Sequence, residues 1–482
     1  MAKEFIVAIE LGSSKITGVA GKKNLDGSIT ILAVAKEDST QYIRKGVVYN
    51  IDKTVVSLTS IVKKLETALK TKIAHVYVGV GGQSIRSVKN VIVKDLPADT
   101  IVTQTMINEL MDANRNMTYP EQEILDATIQ EYKVDNQYQL DPVGIQCNRL
   151  EGNFLNILWR KAYYRNLNKC LETAGLAIAD LYIAPLALAD SVLTETEKRG
   201  GCMLVDLGAD TTTVSVYFKN ILRHLSVIPL GSNNITKDIA SLQVDEARAE
   251  EMKLKYASAF TPNDDIDNTL TYPIDQDRNV ESRKFIDIVE ARVEEIVENV
   301  CAQVPNEYSD KLLGGIILTG GGSNLKNIER AFTNRTHIGK IRTAKFVSEP
   351  VNSNHADITS HDGTMNTILG LLIKGDMNCA GSEITNDLFE AGTQKPAAPL
   401  TDIHQKPRTI TETAGSGVVL TEAEKQKAEE EERRRRLEEE EARRRAEAEE
   451  EERIAREKRE NSVWHKAWGV LKKFGKDVIS EE

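Results

Sequence analysis

Phe5-Ile-Val-Ala-Ile-Glu10-Leu-Gly12-Ser13-Ser14-Lys15-Ile-Thr-Gly18 and Cys202-Met-Leu-Val-Asp206-Leu-Gly208-Ala-Asp-Thr211-Thr212-Thr-Val-Ser-Val216 share one pattern: an apolar strand, an acid, Leu-Gly, a short polar turn and a second strand. A phosphate site needs this shape, because glycine lets the backbone come close to an anion and the turn presents N–H and hydroxyl donors. Taken singly, either stretch is an ordinary tight turn. Two of them, roughly 200 residues apart, suit a duplicated domain better than a solenoid. Facing each other across a cleft, the two turns would hold a triphosphate. Glu10 and Asp206 would then orient a divalent metal, Mg2+ through water, and Lys15 would neutralise phosphate charge. A third stretch, residues 314–328, runs an apolar strand into Gly320, Gly321 and Gly322, then Ser323 and an amphipathic helix start. Its glycines clear side chains where a base or ribose would lie on the backbone, and the helix start favours phosphate. Alone, it too would be a turn.

Around these stretches the chain reads as mixed α/β, with β-branched runs alternating with amphipathic helical patterns from Phe5 to about Lys374. The chain has 482 residues with 62 Lys and Arg against 73 Asp and Glu, a formal charge of −11. That acidic balance argues against nonspecific nucleic-acid binding, so no nucleic-acid partner is expected. With 40% hydrophobic and 28% charged residues, a collagenous or mucin-like chain is excluded. No apolar run approaches the roughly 20 residues of a membrane span. Met1-Ala2-Lys3-Glu4-Phe5 lacks the charged-then-apolar run of a signal peptide, so export is not expected. The scattered Cys147, Cys170, Cys202, Cys301 and Cys379 read as reduced thiols, and the 7 histidines show no metal-ligand spacing.

The composition changes after Lys374. Residues 375–420 carry Pro396, Pro399, Pro407 and Gly415-Ser416-Gly417 with little periodicity, which reads as a linker. Residues 421–460 are almost wholly Glu, Arg, Lys and Ala, with opposite charges three and four apart, which supports an isolated helix of about 60 Å. Such a segment is either a semi-rigid spacer or a solvated charged tail. In residues 461–482, Val463, Trp464, Ala467, Trp468, Leu471, Phe474 and Val478 fall on one helical face, while Lys466, Lys472, Lys473 and Lys476 lie largely off it. Tryptophan favours the lipid headgroup zone and lysine favours anionic lipid, so an interfacial membrane helix is the better reading and a partner's groove the alternative.

The three glycine-bearing stretches, in this order and spacing, resemble the actin/Hsp70/hexokinase ATPase superfamily and, within it, the bacterial cell-division FtsA family. Residues 76–82, 185–189, 231–238, 249–253 and 364–370 extend the resemblance over about residues 3–380, and the terminal helix carries it to the chain end. The resemblance implies two RNase H-like lobes around an ATP cleft. It divides the chain into lobe I (1–82, 164–198 and 346–380), a relocated small subdomain (83–163), and lobe II (199–228 and 303–345, with its small subdomain at 229–302). The linker then spans 381–420, the charged helix 421–460 and the amphipathic helix 461–482.

By the same carry-over, Gly12, Ser13, Ser14 and Lys15 match the first phosphate loop, and Asp206, Gly208, Thr211 and Thr212 the second. Gly320, Gly321, Gly322 and Ser323 match the adenosine loop, and Glu250 and Lys253 the pair flanking ribose and adenine. Read from residues alone, Glu250 and Lys253 are a surface ion pair at i,i+3 spacing. The helix over residues 285–300, with Arg292, Glu294 and Glu295, resembles the surface that receives the C-terminal peptide of the tubulin-like protein FtsZ. From the sequence alone its charges are a solvated face.

The family usually has Asp where this chain has Glu10. The extra methylene would displace the metal or its water, so at most a slow ATPase is expected, with ATP binding rather than turnover as the functional event. The resemblance implies an ATP-bound, actin-like filament former that tethers the FtsZ ring to the cytoplasmic face of the inner membrane and recruits later divisome proteins. Two alternatives stay open. A sugar or acetate kinase would need a catalytic base in the cleft and has no use for a membrane helix. A pilus scaffold of the PilM kind normally lacks the charged segment and terminal helix.

Overall fold

The computed structural model describes residues 4–383. The charged helix, the amphipathic helix with Val463, Trp464, Trp468, Leu471, Lys472, Lys473 and Phe474, and most of the linker lie outside the described residues.

One lobe is built on a six-stranded sheet in the order Ala177–Ile183, His75–Val80, Ile6–Leu11, Lys15–Lys23, Ile29–Asp38 and Val351–Asn352. Its central strand Ile6–Leu11 runs parallel to His75–Val80 and antiparallel to Lys15–Lys23. A strand covered on both faces reads as a continuous apolar run, and Val7, Ala8 and Ile9 are fully buried. Helix Ile51–Leu69 packs on this sheet where Gly18 meets Ile61 and Leu65, and helix Asn366–Lys374 where Gly21 meets Leu372. The first of these helices starts at Asn50, whose side chain accepts from the Lys53 N–H, and it turns Leu58, Ile61, Leu65 and Leu69 inward at three- and four-residue spacing.

The other lobe carries the strands Ile221–Ile228, Thr212–Phe218, Cys202–Leu207, Gly315–Thr319 and Ile341–Thr343. Helices Ser232–Ala240, Glu246–Tyr256 and Ser282–Ala302 surround a core of Ile239, Met252, Phe285, Val289 and Val293. Residues 86–160 add four strands to the same nine-stranded sheet, joined at the Ser226–Arg86 pair. The Leu225 N–H donates to Ser87 Oγ at 2.8 Å, and Gln130 Nε2 to the Leu222 carbonyl at 3.0 Å. The inserted segment thus shares its sheet with the second lobe, although the chain enters and leaves it from the first. Helix Gln104–Arg115 closes a separate small core around Leu110, Leu150 and Phe154.

Two helices link the lobes, Ala184–Val192 and Asn366–Lys374. They cross at Gly370, where a Cβ would fall 2.7 Å from the Ala187 carbonyl oxygen. The following connector is fixed by Glu197, which accepts from Arg342 Nε at 2.7 Å and Nη2 at 2.9 Å and from the Thr194 N–H at 2.9 Å.

The composition break at Gly375 does not interrupt the packing of the first lobe. The Tyr77 hydroxyl donates to Asp376 Oδ1 at 2.8 Å and accepts from the Met377 N–H at 2.8 Å. Cys379 is buried, and strand Ala380–Glu383 pairs with Thr71–Ile73. Local polarity suggests a linker here, but contacts to residues some 300 positions earlier override it.

Candidate functional site

The two hairpins that open the lobes are built alike. In the first, the Gly12 N–H donates to the Lys15 carbonyl at 3.0 Å; in the second, the Gly208 N–H donates to the Thr211 carbonyl at 2.9 Å. At either glycine a Cβ would sit 2.8 Å from that carbonyl oxygen, so each turn tolerates no side chain there. The antiparallel register places Glu10 opposite Thr17 and Asp206 opposite Thr213. These four side chains line a cleft of about 740 Å³ between the lobes, inside the range of about 300 to 1,000 Å³ typical of small-molecule sites.

Of the nucleotide and metal candidates read from sequence, all but Thr212 and Ser323 line this cleft. Thr212 sits one residue out of phase with Asp206's partner, so its side chain points into the second lobe, wholly buried, and Oγ1 donates to the Leu230 carbonyl at 2.9 Å. Ser323 turns back to donate Oγ to the Gly320 carbonyl at 2.7 Å, bracing the glycine loop from behind. Thr17 and Thr213 line the cleft instead. The signal was available in the period-two alternation of a strand, which puts cross-strand partners on one face.

Gly320 has φ +81, and a Cβ there would lie 2.3 Å from Asp206 Oδ1. The glycine loop is thereby pressed against the second hairpin, with room for neither a side chain nor an ordinary backbone angle.

The carboxylates at the cleft floor are strained electrostatically. Burial, and then the neighbouring Asp206 charge, raise Glu10 from 4.5 to about 7 against the opposing pull of Lys15. Burial raises Asp206 from 3.8 to about 6. Burial and Lys36 push the Lys15 ammonium down, with Glu10, Asp362 and Asp357 pulling the other way. Asp362, not singled out from the sequence, lines the cleft from an Asx-type turn, its Oδ1 accepting from the N–H and Oγ1 of Thr364.

Lys253 is 7% exposed and has all its donors engaged: Glu250 Oε2 at 2.7 Å, Thr236 Oγ1 at 2.9 Å and the Ser232 carbonyl at 3.2 Å. It is therefore no simple surface pair, since it ties helix Glu246–Tyr256 to the start of helix Ser232–Ala240 while holding Glu250 at the cleft wall. Among the described residues, no set of three or more His, Cys, Asp or Glu side chains could by itself hold a metal ion.

The family pattern described as "Cell division protein FtsA" matches residues 203–356, and "SHS2 domain inserted in FTSA" matches residues 82–158. The cell division protein FtsA of Porphyromonas gingivalis is 31% identical over 393 residues, which is 80% of this chain and 81% of that protein. The chain belongs to the FtsA family. The Neisseria meningitidis FtsA is 34% identical over 68% of this chain and 80% of its own length. Among solved structures, the PilM-PilN type IV pilus biogenesis complex aligns with TM-score 0.53 at 16% identity, over 76% of this chain and 97% of that one. At that identity the likeness speaks for the fold alone, the two-lobed actin-like architecture. The inserted strands described above, residues 86–160, coincide with the match to the SHS2 domain inserted in FtsA (82–158) except for the last two residues.

In this FtsA-family chain, Arg292 and Glu295 lie on helix Ser282–Ala302, away from the cleft lining. Arg292 is half-buried and forks between Asp238 and Glu295, with Nη2 3.1 Å from Asp238 Oδ1. Its charge is already used within the chain.

Proposed function

We propose that this FtsA-family protein is an ATP-binding, actin-like filament former that tethers the FtsZ ring to the cytoplasmic face of the inner membrane at the division site and helps recruit later divisome proteins. Membership of a cell-division family supports the setting. The twin turns across one cleft carry the nucleotide part. Two half-buried carboxylates at the cleft floor are pushed toward their neutral forms by burial, and a cation beside them would favour the charged forms. A hydrated Mg2+ fits them, because this ion binds through one or two carboxylates plus substrate phosphates rather than through a closed protein cage. Glu10 and Asp206 would orient that ion through water. Lys15, Ser13 and Ser14 would meet phosphate on one side, and Gly208 and Thr211 on the other. Gly320, Gly321 and Gly322 would lie under the adenosine, with Glu250 at the ribose. The ion would supply charge neutralisation of the phosphates.

Filament formation would answer a weakness of the proposed anchor. A single amphipathic helix binds membrane reversibly, and many copies in one polymer convert weak contacts into avidity. The Val463, Trp464, Trp468, Leu471, Lys472, Lys473 and Phe474 pattern would supply each contact. The FtsZ C-terminal peptide would dock on helix Ser282–Ala302, and the inserted segment would take later division proteins.

Sedimentation with anionic liposomes and MgATP tests this. The full chain should pellet and retain an FtsZ C-terminal peptide, whereas a truncation after Glu460 and a Trp464→Ala/Trp468→Ala variant should stay in the supernatant. Equal pelleting of all three proteins would overturn the membrane reading, and absence of MgATP binding to the full chain would overturn the nucleotide reading.

A further inference from the structure

Between the first two sheet strands after the phosphate-type turn and helix Ile51–Leu69 lies a small hairpin of Ile43–Arg44 and Val47–Val48. Its two turn residues, Lys45 and Gly46, both have positive φ, 51 and 73. Two consecutive left-handed residues make the tight turn that suits a two-residue hairpin, but the usual first residue is Asn, Asp or Gly. Lysine there is strained, and strained positions persist where the surroundings hold them.

Those surroundings are specific. The Gly46 N–H donates to Ser13 Oγ at 2.8 Å, in the first anion turn. The Lys45 carbonyl accepts from the Gln83 N–H at 2.8 Å. Gly46 and Gly82 pack backbone to backbone so closely that a Cβ on Gly46 would fall 2.5 Å from the Gly82 Cα. The turn is thus riveted to the six-stranded lobe. Its remaining donor, the Lys45 N–H, points the other way and reaches Asp210 Oδ2 at 3.2 Å, in the second anion turn of the opposite lobe. The other oxygen of Asp210 accepts from Asn233 Nδ2 at 2.8 Å, at the start of helix Ser232–Ala240. Adjacent N–H groups of one strained turn therefore grip both anion turns. Asp210 itself does not line the cleft, while Gly46 does.

We propose that the Lys45–Gly46 turn is an interlobe clasp, with Asp210 as its catch, that fixes the spacing of the two anion turns and gates ligand release from the cleft. Because the turn moves with the first lobe, opening the cleft breaks the Lys45–Asp210 bond and leaves the Gly46–Ser13 bond intact. Asp210 acts as a positioning residue, through the spacing of the turns. The effect on ligand rests on the nucleotide reading above; the clasp itself does not.

Two measurements on the full chain separate these. Amide hydrogen exchange without nucleotide reads the clasp directly. Asp210→Ala should speed exchange at Lys45 on the order of tenfold, as expected for loss of a hydrogen bond to a charged acceptor. Asp210→Asn, which keeps an acceptor oxygen, should stay within about threefold of the parent. Stopped-flow release of a fluorescent MgATP analogue should be about five- to tenfold faster in Asp210→Ala. Parent-like exchange at Lys45 in Asp210→Ala would overturn the clasp. If the parent binds no nucleotide, the nucleotide reading falls while the exchange data still decide the clasp.

Discussion

Replacing Arg342 with Met should cost stability at neutral pH and return most of it in acid. Arg342 sits on strand Ile341–Thr343 and grips Glu197 with two nitrogens, while its Nη2 also donates to the Val192 carbonyl at 2.8 Å. The bond joins the connector after helix Ala184–Val192 to the second lobe. Burial by itself would raise the Glu197 pKa, but the hydrogen bonds from Arg342 and the Thr194 N–H, and the Arg342 charge, outweigh it and bring the value from 4.5 to about 2. At 1.36 kcal/mol per unit such a shift corresponds to about 3 kcal/mol. The Arg342 side chain is 39% exposed and Thr194 shares the task, so screening leaves about 2 kcal/mol for the arginine. Glu197 is a depressed acid, so its contribution is whole above pH 4.5 and is lost as pH falls toward 2. Thermal unfolding should place Arg342→Met about 2 to 3 °C below the parent at pH 7. Urea unfolding at a series of acid pH values should show the gap closing below pH 4.5. An unchanged Tm at pH 7, or a gap that persists undiminished at about pH 3, would refute the reasoning.

Gly320→Ala should weaken MgATP-analogue binding at least about tenfold in fluorescence titration and lower stability by about 1 to 3 kcal/mol, since φ +81 and the nearby Asp206 oxygen both oppose a Cβ. Thr211→Ala should reduce nucleotide affinity several-fold at nearly constant Tm. Thr212→Val should do the reverse, costing about 1 kcal/mol by stranding the Leu230 carbonyl and sparing affinity. Arg292→Ala should cost about 1 kcal/mol through Asp238 and should also lower affinity for an FtsZ C-terminal peptide measured by fluorescence anisotropy. Unchanged peptide affinity would remove Arg292 from that contact.

What could be read in advance follows from how local each determinant is. The twin hairpins are legible because a strand, an acid and a turn glycine lie within a dozen residues, and the turn geometry permits little else at Gly12 and Gly208. Strand periodicity also carried more than the motif did, since pairing Asp206 with Thr213 shows at once that Thr212 faces inward. The clasp is a different matter. Nothing in Arg44-Lys45-Gly46 marks it, because its partners Ser13, Gly82 and Asp210 are scattered along the chain and its backbone angles are imposed by them rather than by lysine's own preference. The same holds at Gly375, where polar composition suggests that structure ends, yet Tyr77, Phe5 and strand Thr71–Ile73 hold the chain for several residues more. Residue chemistry thus tells which groups could meet an anion, whereas the spacing of the two hairpin turns involves contacts between residues far apart in the chain, such as the Lys45 N–H to the Asp210 carboxylate. If that distance controls affinity, single substitutions outside the cleft lining, with Asp210 first among them, should change ligand release as much as substitutions that touch the ligand.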